Sequence, residues 1–221
     1  MNKEEVRSRI EGIGIIPSVR VSSGDDALFA AEAVSRGGIP IVEVTLTVPD
    51  AHHVISHLVQ NAPDVIVGAG GVNDVKTARS CLDAGARFLT SDGFDPEIVG
   101  LAVEENAVVI PGTLTPSEVL QAWKLRPDFI KVVPCAQVGG ESYVRALKAM
   151  FPTVPLVAAG GVNQQTASSF ILAGAVALGI GTALIPREAI LRRQPERIAE
   201  LARRFTGFVS NARNQLHEHQ T

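Results

Sequence analysis

Two cysteines, Cys81 and Cys135, are too few for a disulfide framework and too few for a four-ligand zinc site. Aromatic residues make up only 5% of the 221 residues, and Trp123 and Tyr143 are single copies, so there is no platform on which nucleic-acid bases would stack. Neither sign of charge dominates. A formal net charge of −3 gives no general attraction to nucleic acid or to an anionic membrane. The densest basic stretch, "LRRQPERIAELARRF", interleaves Glu196 and Glu200 with its arginines and reads as the solvated face of a helix. The longest apolar region, "LAGAVALGIGTALIP", is too short and too broken by glycine to span a bilayer. The opening "MNKEEVRSRIEG" is charged and lacks the apolar core of a signal peptide. These absences predict a cytoplasmic protein with no membrane and no nucleic-acid partner.

What the chain does contain is a regular alternation. Eight short apolar runs, "GIIPSV", "PIVEVT", "VIVGA", "RFLT", "AVVIP", "DFIKVV", "PLVAA" and "AVALGI", read as buried parallel strands. Between them lie amphipathic segments at helical spacing: Asp25–Arg36, Val75–Ala84, Pro96–Glu105, Ser117–Lys124, Ser142–Met150 and Gln164–Leu172. Asn73, Asp95, Thr115 and Asn163 sit where N-caps belong. Eight βα units in a chain of this length predict one (β/α)8 TIM barrel covering residues 1–221, with Lys3–Glu11 as an extra N-terminal helix closing one end. An internal repeat supports the barrel. "AGGVN" occurs at Ala69–Asn73 and again at Ala159–Asn163, each copy followed by a helical stretch and then "AGA". The two copies stand four βα units apart, as a duplicated half-barrel would give. The competing dinucleotide reading of "VIVGAGG" fails because the third glycine of G-x-G-x-x-G falls on Asn73.

In such barrels chemistry sits at the C-terminal ends of the strands. Two charged residues lie inside strands: Glu43 in "PIVEVT" and Lys131 in "PDFIKVVP". Side chains alternate along a strand, so Glu43 points with Ile41 and Thr45, and Lys131 with Phe129 and Val133. If both point inward, a lysine and a carboxylate share a mostly apolar barrel mouth. Desolvation disfavours an ammonium and so favours a nucleophilic amine, while a carboxylate supplies a general base. Imine chemistry on a carbonyl substrate follows. The competing reading is a buried Lys–Glu ion pair that fills the barrel, a weak stabiliser that is costly to desolvate.

Glycines mark a second feature. "AAGGVN" and "LGIGTAL" follow the last two strands, where many barrels bind phosphate through backbone N–H groups. Gly160, Gly161 and Gly181 would form this anion site, with a hydroxyl from Thr182. The competing reading is a pair of tight turns that need glycine. His53 and His57 are four apart on a helix, with His52 beside them, while His217 and His219 lie in a polar tail. No third ligand stands at a strand end, so no metal site is expected.

The motifs "EVTLTVPDA", "GAGGV", "PGTLTPSE", "FIKVVP", "AAGGVN" and "GIGTALIP", in this order along nearly the whole chain, resemble the 2-keto-3-deoxy-6-phosphogluconate aldolase family. The resemblance implies a class I, pyruvate-yielding aldolase on a (β/α)8 barrel, commonly a homotrimer. It implies Lys131 as the Schiff-base lysine, Glu43 as the proton-transfer residue, and Gly160, Gly161, Gly181 and Thr182 as phosphate ligands. No cofactor is implied, since the lysine itself supplies the electron sink. The chain departs from the pattern where many members carry an arginine for the substrate carboxylate, which is Thr47 here. Arg20, after the first strand in "PSVR", is then the expected carboxylate partner. Gly71 stands for the usual threonine of "GAGTV", Asp92 for the usual proline of "SPG", and Ala159 for the threonine of "TGG". All three line the pocket that the resemblance implies. The implied substrate is a small phosphorylated sugar acid, 2-keto-3-deoxy-6-phosphogluconate, cleaved to pyruvate and glyceraldehyde 3-phosphate. The galactonate epimer and 4-hydroxy-2-oxoglutarate are alternatives within the class. A phosphate-barrel isomerase and a non-catalytic binder of phosphorylated metabolites are alternatives outside it.

Overall fold

Lys3–Ile13 forms helix α1, opened by a capping box in which Asn2 and Glu5 each accept the other's backbone N–H at 2.9 Å. In this computed structural model residues 1–218 are described, so His219 of the polar tail lies outside the described residues. The order then runs β1 (Ile15–Val19), α2 (Gly24–Arg36), β2 (Ile41–Thr45), α3 (Ala51–Asn61), β3 (Ile66–Gly70), α4 (Val75–Asp83), β4 (Phe88–Thr90) and α5 (Pro96–Glu104). It continues with β5 (Val108–Ile110), β6 (Gly112–Thr113), α6 (Pro116–Trp123), β7 (Ile130–Val132), α7 (Glu141–Met150), β8 (Leu156–Ala159), α8 (Ala167–Leu172), β9 (Ala175–Ile180), α9 (Arg187–Leu191) and α10 (Pro195–Glu218).

All neighbouring strands pair in parallel, in the order β5-β4-β3-β2-β1-β9-β8-β7-β6. The fifth apolar run of the sequence, "AVVIP", carries β5 and ends at Pro111, and a further short strand, β6, follows it. Pro111 separates the two, because proline has no N–H for the ladder. β5 pairs with β4 and β6 pairs with β7, and Pro111 alone joins them, so the two ends of the sheet meet and the barrel closes. The Pro111 carbonyl still serves, accepting the Lys131 N–H at 2.9 Å.

The strands are buried on both faces, as helix-covered parallel strands must be. Large and small residues interlock inside the barrel. Gly68 is the register partner of Phe88, and a Cβ on Gly68 would fall on the Phe88 ring. The last helix wraps the outside. α10 packs its buried Ile198, Ala202, Phe205 and Val209 toward α2 and α8. From α10, Arg213 donates to the carbonyls of Glu11, Gly12 and Val176 at 2.6, 2.6 and 2.9 Å, tying the end of α1 to the start of β9.

The cap positions are partly as expected. Asp95 accepts from Glu97 N at 2.8 Å, and Thr115 builds a capping box with Glu118. Asn73 is not a cap; the neighbouring Asp74 is, accepting from Thr77 N at 2.8 Å. Asn163 accepts from Gln165 N at 2.9 Å and Thr166 N at 3.2 Å, and so shapes the turn before α8, which begins only after Thr166. The turn 163–166 takes up the residues that helical spacing had assigned to the helix. Among the described residues no helix is long and apolar enough to cross a membrane.

Candidate active site

Glu43 and Lys131 are both buried, at 7% and 6% exposure, in a protein whose buried polar side chains are few. They do not pair with each other. The Glu43 carboxylate accepts from the Ser18 hydroxyl at 2.6 Å through Oε1 and from the Thr90 hydroxyl at 2.7 Å through Oε2. Ser18 on β1 is the register partner of Glu43 on β2, and Thr90 comes from β4 across β3. Gly70 on β3 leaves the room this needs, since a Cβ there would run into the Glu43 carboxyl. A buried carboxylate is thereby solvated by two hydroxyls in place of water.

Lys131 Nζ instead bonds Asp92 Oδ1 at 2.9 Å. The competing reading of a buried Lys–Glu ion pair is thereby set aside, and the two groups share the mouth without pairing. The mouth holds two separate charged groups, a hydroxyl-bound Glu43 and a Lys131–Asp92 ion pair. Burial pushes the Asp92 carboxyl up. The Lys131 ammonium, both by its charge and by its hydrogen bond, and the Arg20 guanidinium outweigh that and hold it below the ordinary carboxylate range. The carboxylate itself remains 56% exposed.

The turn after β4 is held in place. Ser91 Oγ donates to the Gly93 carbonyl at 2.6 Å and accepts from Gly112 N at 3.3 Å. Gly112 is also the register partner of Lys131. A Cβ on Gly112 would lie 2.5 Å from the Asp92 carbonyl carbon and 2.6 Å from its oxygen. Only glycine lets the backbone of this turn approach so closely.

The other expected site residues stand at the C-terminal strand ends. Arg20 directly follows β1, is exposed, and acts through its charge on Asp92. Thr45 donates to the Val19 carbonyl at 2.9 Å, which leaves the Thr47 hydroxyl to donate to Thr45 Oγ1 at 2.8 Å. Gly71 has a φ of 73° and nothing within 4 Å of where a Cβ would stand, so it faces open space. After β8, Gly160 and Gly161 have successive positive φ values of 80° and 90°. A Cβ on Gly160 would meet Pro134 at 2.7 Å, and the Gly160 and Ala159 carbonyls accept from Ala136 and Cys135 at 3.1 and 2.9 Å. After β9, the Gly181 carbonyl accepts from Leu184 and Ile185 at 3.0 and 2.9 Å, leaving Thr182 exposed.

Cys135 is buried, and burial raises its thiol to about 11, so it is no thiolate nucleophile at neutral pH. His53 and His57 lie on α3 with ring centroids 6.4 Å apart, and among the described residues no three His, Cys, Asp or Glu side chains are grouped as metal ligands. Ser18 and Thr90 escaped the sequence reading. Each is a lone hydroxyl in an apolar strand, the same signal that singled out Glu43 and Lys131. Asp92 was noted at a strand end, but its pairing depends on the fold of the turn.

Fold and site together define a class, the (β/α)8-barrel aldolases, in which an amine and carboxylates converge at the C-terminal strand ends. Comparison with known proteins narrows this. A family model described as KDPG and KHG aldolase matches residues 6–201, and the chain belongs to that family of class I pyruvate aldehyde-lyases. It is 28% identical to a 2-dehydro-3-deoxy-phosphogluconate aldolase of Treponema pallidum over 90% of this chain and 95% of that one. Among solved structures it is similar to the KDPG aldolase of Legionella pneumophila, with pyruvate captured at low pH as a covalent carbinolamine intermediate. That similarity has a TM-score of 0.83 and 30% identity over 89% of this chain and 96% of that one. A KDPG aldolase of Zymomonas mobilis with 3-phosphoglycerate also has a TM-score of 0.83, at 25% identity over 93% of this chain and 96% of that one.

Proposed function

We propose that the protein cleaves 2-keto-3-deoxy-6-phosphogluconate to pyruvate and glyceraldehyde 3-phosphate through an imine on Lys131. The observation that carries this reading is a lysine buried within β7 of a barrel whose family makes pyruvate by class I chemistry. Lys131 attacks the C2 carbonyl and, with loss of water, gives an iminium that draws electrons from the C3–C4 bond. Glu43 takes the C4 hydroxyl proton as that bond breaks. The enamine is then protonated at C3 and hydrolysed to release pyruvate.

Arg20 binds the substrate carboxylate and Thr47 braces the same edge of the mouth, while Gly71 leaves space beside it. Gly160, Gly161, Gly181 and Thr182 bind the phosphate through backbone N–H groups and a hydroxyl. Holding both ends of the substrate sets its reacting carbons over Lys131. The working assembly is a homotrimer in the cytoplasm.

Borohydride reduction in the presence of pyruvate, followed by peptide mass spectrometry, tests this reading. A stable adduct on Lys131 is the expected result, and no adduct on any lysine with pyruvate in excess would overturn it. The phosphate assignment has its own test. Thr182 is exposed just after β9, so Thr182→Val removes the hydroxyl assigned to the phosphate at a surface position. The Michaelis constant for the phosphorylated substrate should rise by about 10-fold, the loss of one charge-assisted hydrogen bond. Cleavage of 4-hydroxy-2-oxoglutarate, which carries no phosphate, should stay nearly unchanged. Equal losses on both substrates would remove Thr182 from phosphate binding.

A further inference from the structure

The amine of Lys131 has a carboxylate within hydrogen-bond reach, and that carboxylate is Asp92. Glu43 makes no ion pair with Lys131; its oxygens accept from the Ser18 and Thr90 hydroxyls. Imine formation needs two proton movements at the lysine nitrogen. The ammonium must give up a proton to become a nucleophile, and the carbinolamine hydroxyl must receive one to leave as water. Both occur where Asp92 stands.

We propose that Asp92 is a catalytic residue of imine formation, the acid–base partner of Lys131. The assignment rests on the Lys131 imine reading above. Protons and charges balance without a further reactant. Asp92 accepts a proton from the Lys131 ammonium, giving a neutral amine and a neutral carboxylic acid. The amine adds to the C2 carbonyl, and transfer of a proton from nitrogen to oxygen gives the neutral carbinolamine. The Asp92 acid then protonates the carbinolamine hydroxyl, the C–O bond breaks, and water leaves. The products are the iminium cation on Lys131 and the Asp92 carboxylate. The anion that began as the partner of the ammonium therefore ends as the partner of the iminium.

Three features fit this role better than that of a structural ion pair. The carboxylate is more than half exposed, so it faces the mouth by which water leaves, whereas a pair that merely filled the barrel would be enclosed. The turn that carries it is held by both bonds of the Ser91 hydroxyl. Its backbone packs on Gly112, the residue opposite Lys131 in the ladder, so the distance between carboxylate and amine is built into the main chain. Burial raises the affinity of Asp92 for protons, and its two cationic neighbours, Lys131 and Arg20, reduce it further than burial raises it. At rest it is a carboxylate beside an ammonium; once the proton moves between them the lysine's charge is gone, and burial then favours the neutral acid that donates to the departing water.

The test compares full-length wild type, Asp92→Asn and Glu43→Gln. Pyruvate is added, and borohydride is added at successive times, so that intact-protein mass gives the rate of imine formation. Exchange of the pyruvate methyl protons in deuterated water, followed by NMR, reads the later proton step at C3. In Asp92→Asn, imine formation should slow by about 10²- to 10⁴-fold, the range of a lost general acid–base, and methyl exchange should slow with it. In Glu43→Gln an imine should still form on Lys131 while exchange falls. Asp92→Gly, which opens a space at the same point, should regain imine formation when formate is supplied, a response that a purely structural role would not give.

An Asp92→Asn protein that forms the imine as fast as wild type, or faster because its lysine is freed from an anion, would overturn the assignment. So would an Asp92→Gly protein indifferent to formate. Absence of any adduct in the wild type would be a different failure, that of the imine reading itself.

Discussion

Lys131→Met is expected to abolish cleavage, with a loss on the order of a million-fold, the scale set when a covalent nucleophile is deleted. Methionine keeps the length and much of the volume of lysine but has no amine, so neither carbinolamine nor imine can form. The variant should nevertheless fold. Lys131 is 6% exposed, and an apolar side chain of similar volume suits that place. Its partner Asp92, 56% exposed, returns to water and is not left as a buried unpaired charge. Removing one partner of an ion pair is costly chiefly where the other is left buried and unpaired, which the exposed Asp92 is not. The midpoint of thermal unfolding should therefore stay within a few degrees of wild type, while the borohydride adduct with pyruvate vanishes. Retained turnover in Lys131→Met would end the covalent mechanism. Loss of activity together with loss of folding would instead assign Lys131 a structural role.

Glu43→Gln should separate the steps of the reaction. It is expected to form the imine and yet cleave about 10²- to 10⁴-fold more slowly, because an amide cannot take the C4 hydroxyl proton. The environment of Glu43 makes the substitution informative. Two hydroxyls donate to its two oxygens, at 2.6 Å from Ser18 and 2.7 Å from Thr90. Glutamine keeps one acceptor oxygen and presents an NH2 to the other hydroxyl, which must rotate to accept. The shape of the site is kept at a cost of about 1–2 kcal/mol for the rearranged buried hydrogen bonds. Rapid-quench cleavage assays beside borohydride trapping check both halves. Unchanged turnover would take Glu43 out of the proton path. An unfolded protein would show that the carboxylate is needed to satisfy Ser18 and Thr90 before it is needed for chemistry.

Much of this was legible from local pattern. Glu43 and Lys131 are conspicuous because a charge within an apolar run must face something that uses it, and both prove to be buried. The eight apolar runs and the helical spacing between them required parallel strands under helices, which is the barrel that forms. Where the reading was too coarse, the reason lies in short-range geometry. A short strand, β6, follows the fifth run and was not expected, and Pro111, which cannot donate to the ladder, separates it from β5. Asp74 caps α4 in place of Asn73 because the preceding turn sets which side chain reaches Thr77 N. These one-residue differences move no strand.

The sequence by itself determined the class of fold, the strand ends at which charge and glycine collect, and the identity of the two buried charged residues. Periodicity and burial are local consequences of residue type, so they can be read without coordinates. Only the tertiary structure decided the partners. Lys131 lies 39 residues from Asp92, and Glu43 lies 25 and 47 residues from Ser18 and Thr90. Which of them meet depends on barrel register and on how closely two backbones approach where glycine stands. At Gly112 the turn after β4 packs against the strand beside Lys131, and it is the turn's carboxylate, not that of Glu43, that reaches the lysine.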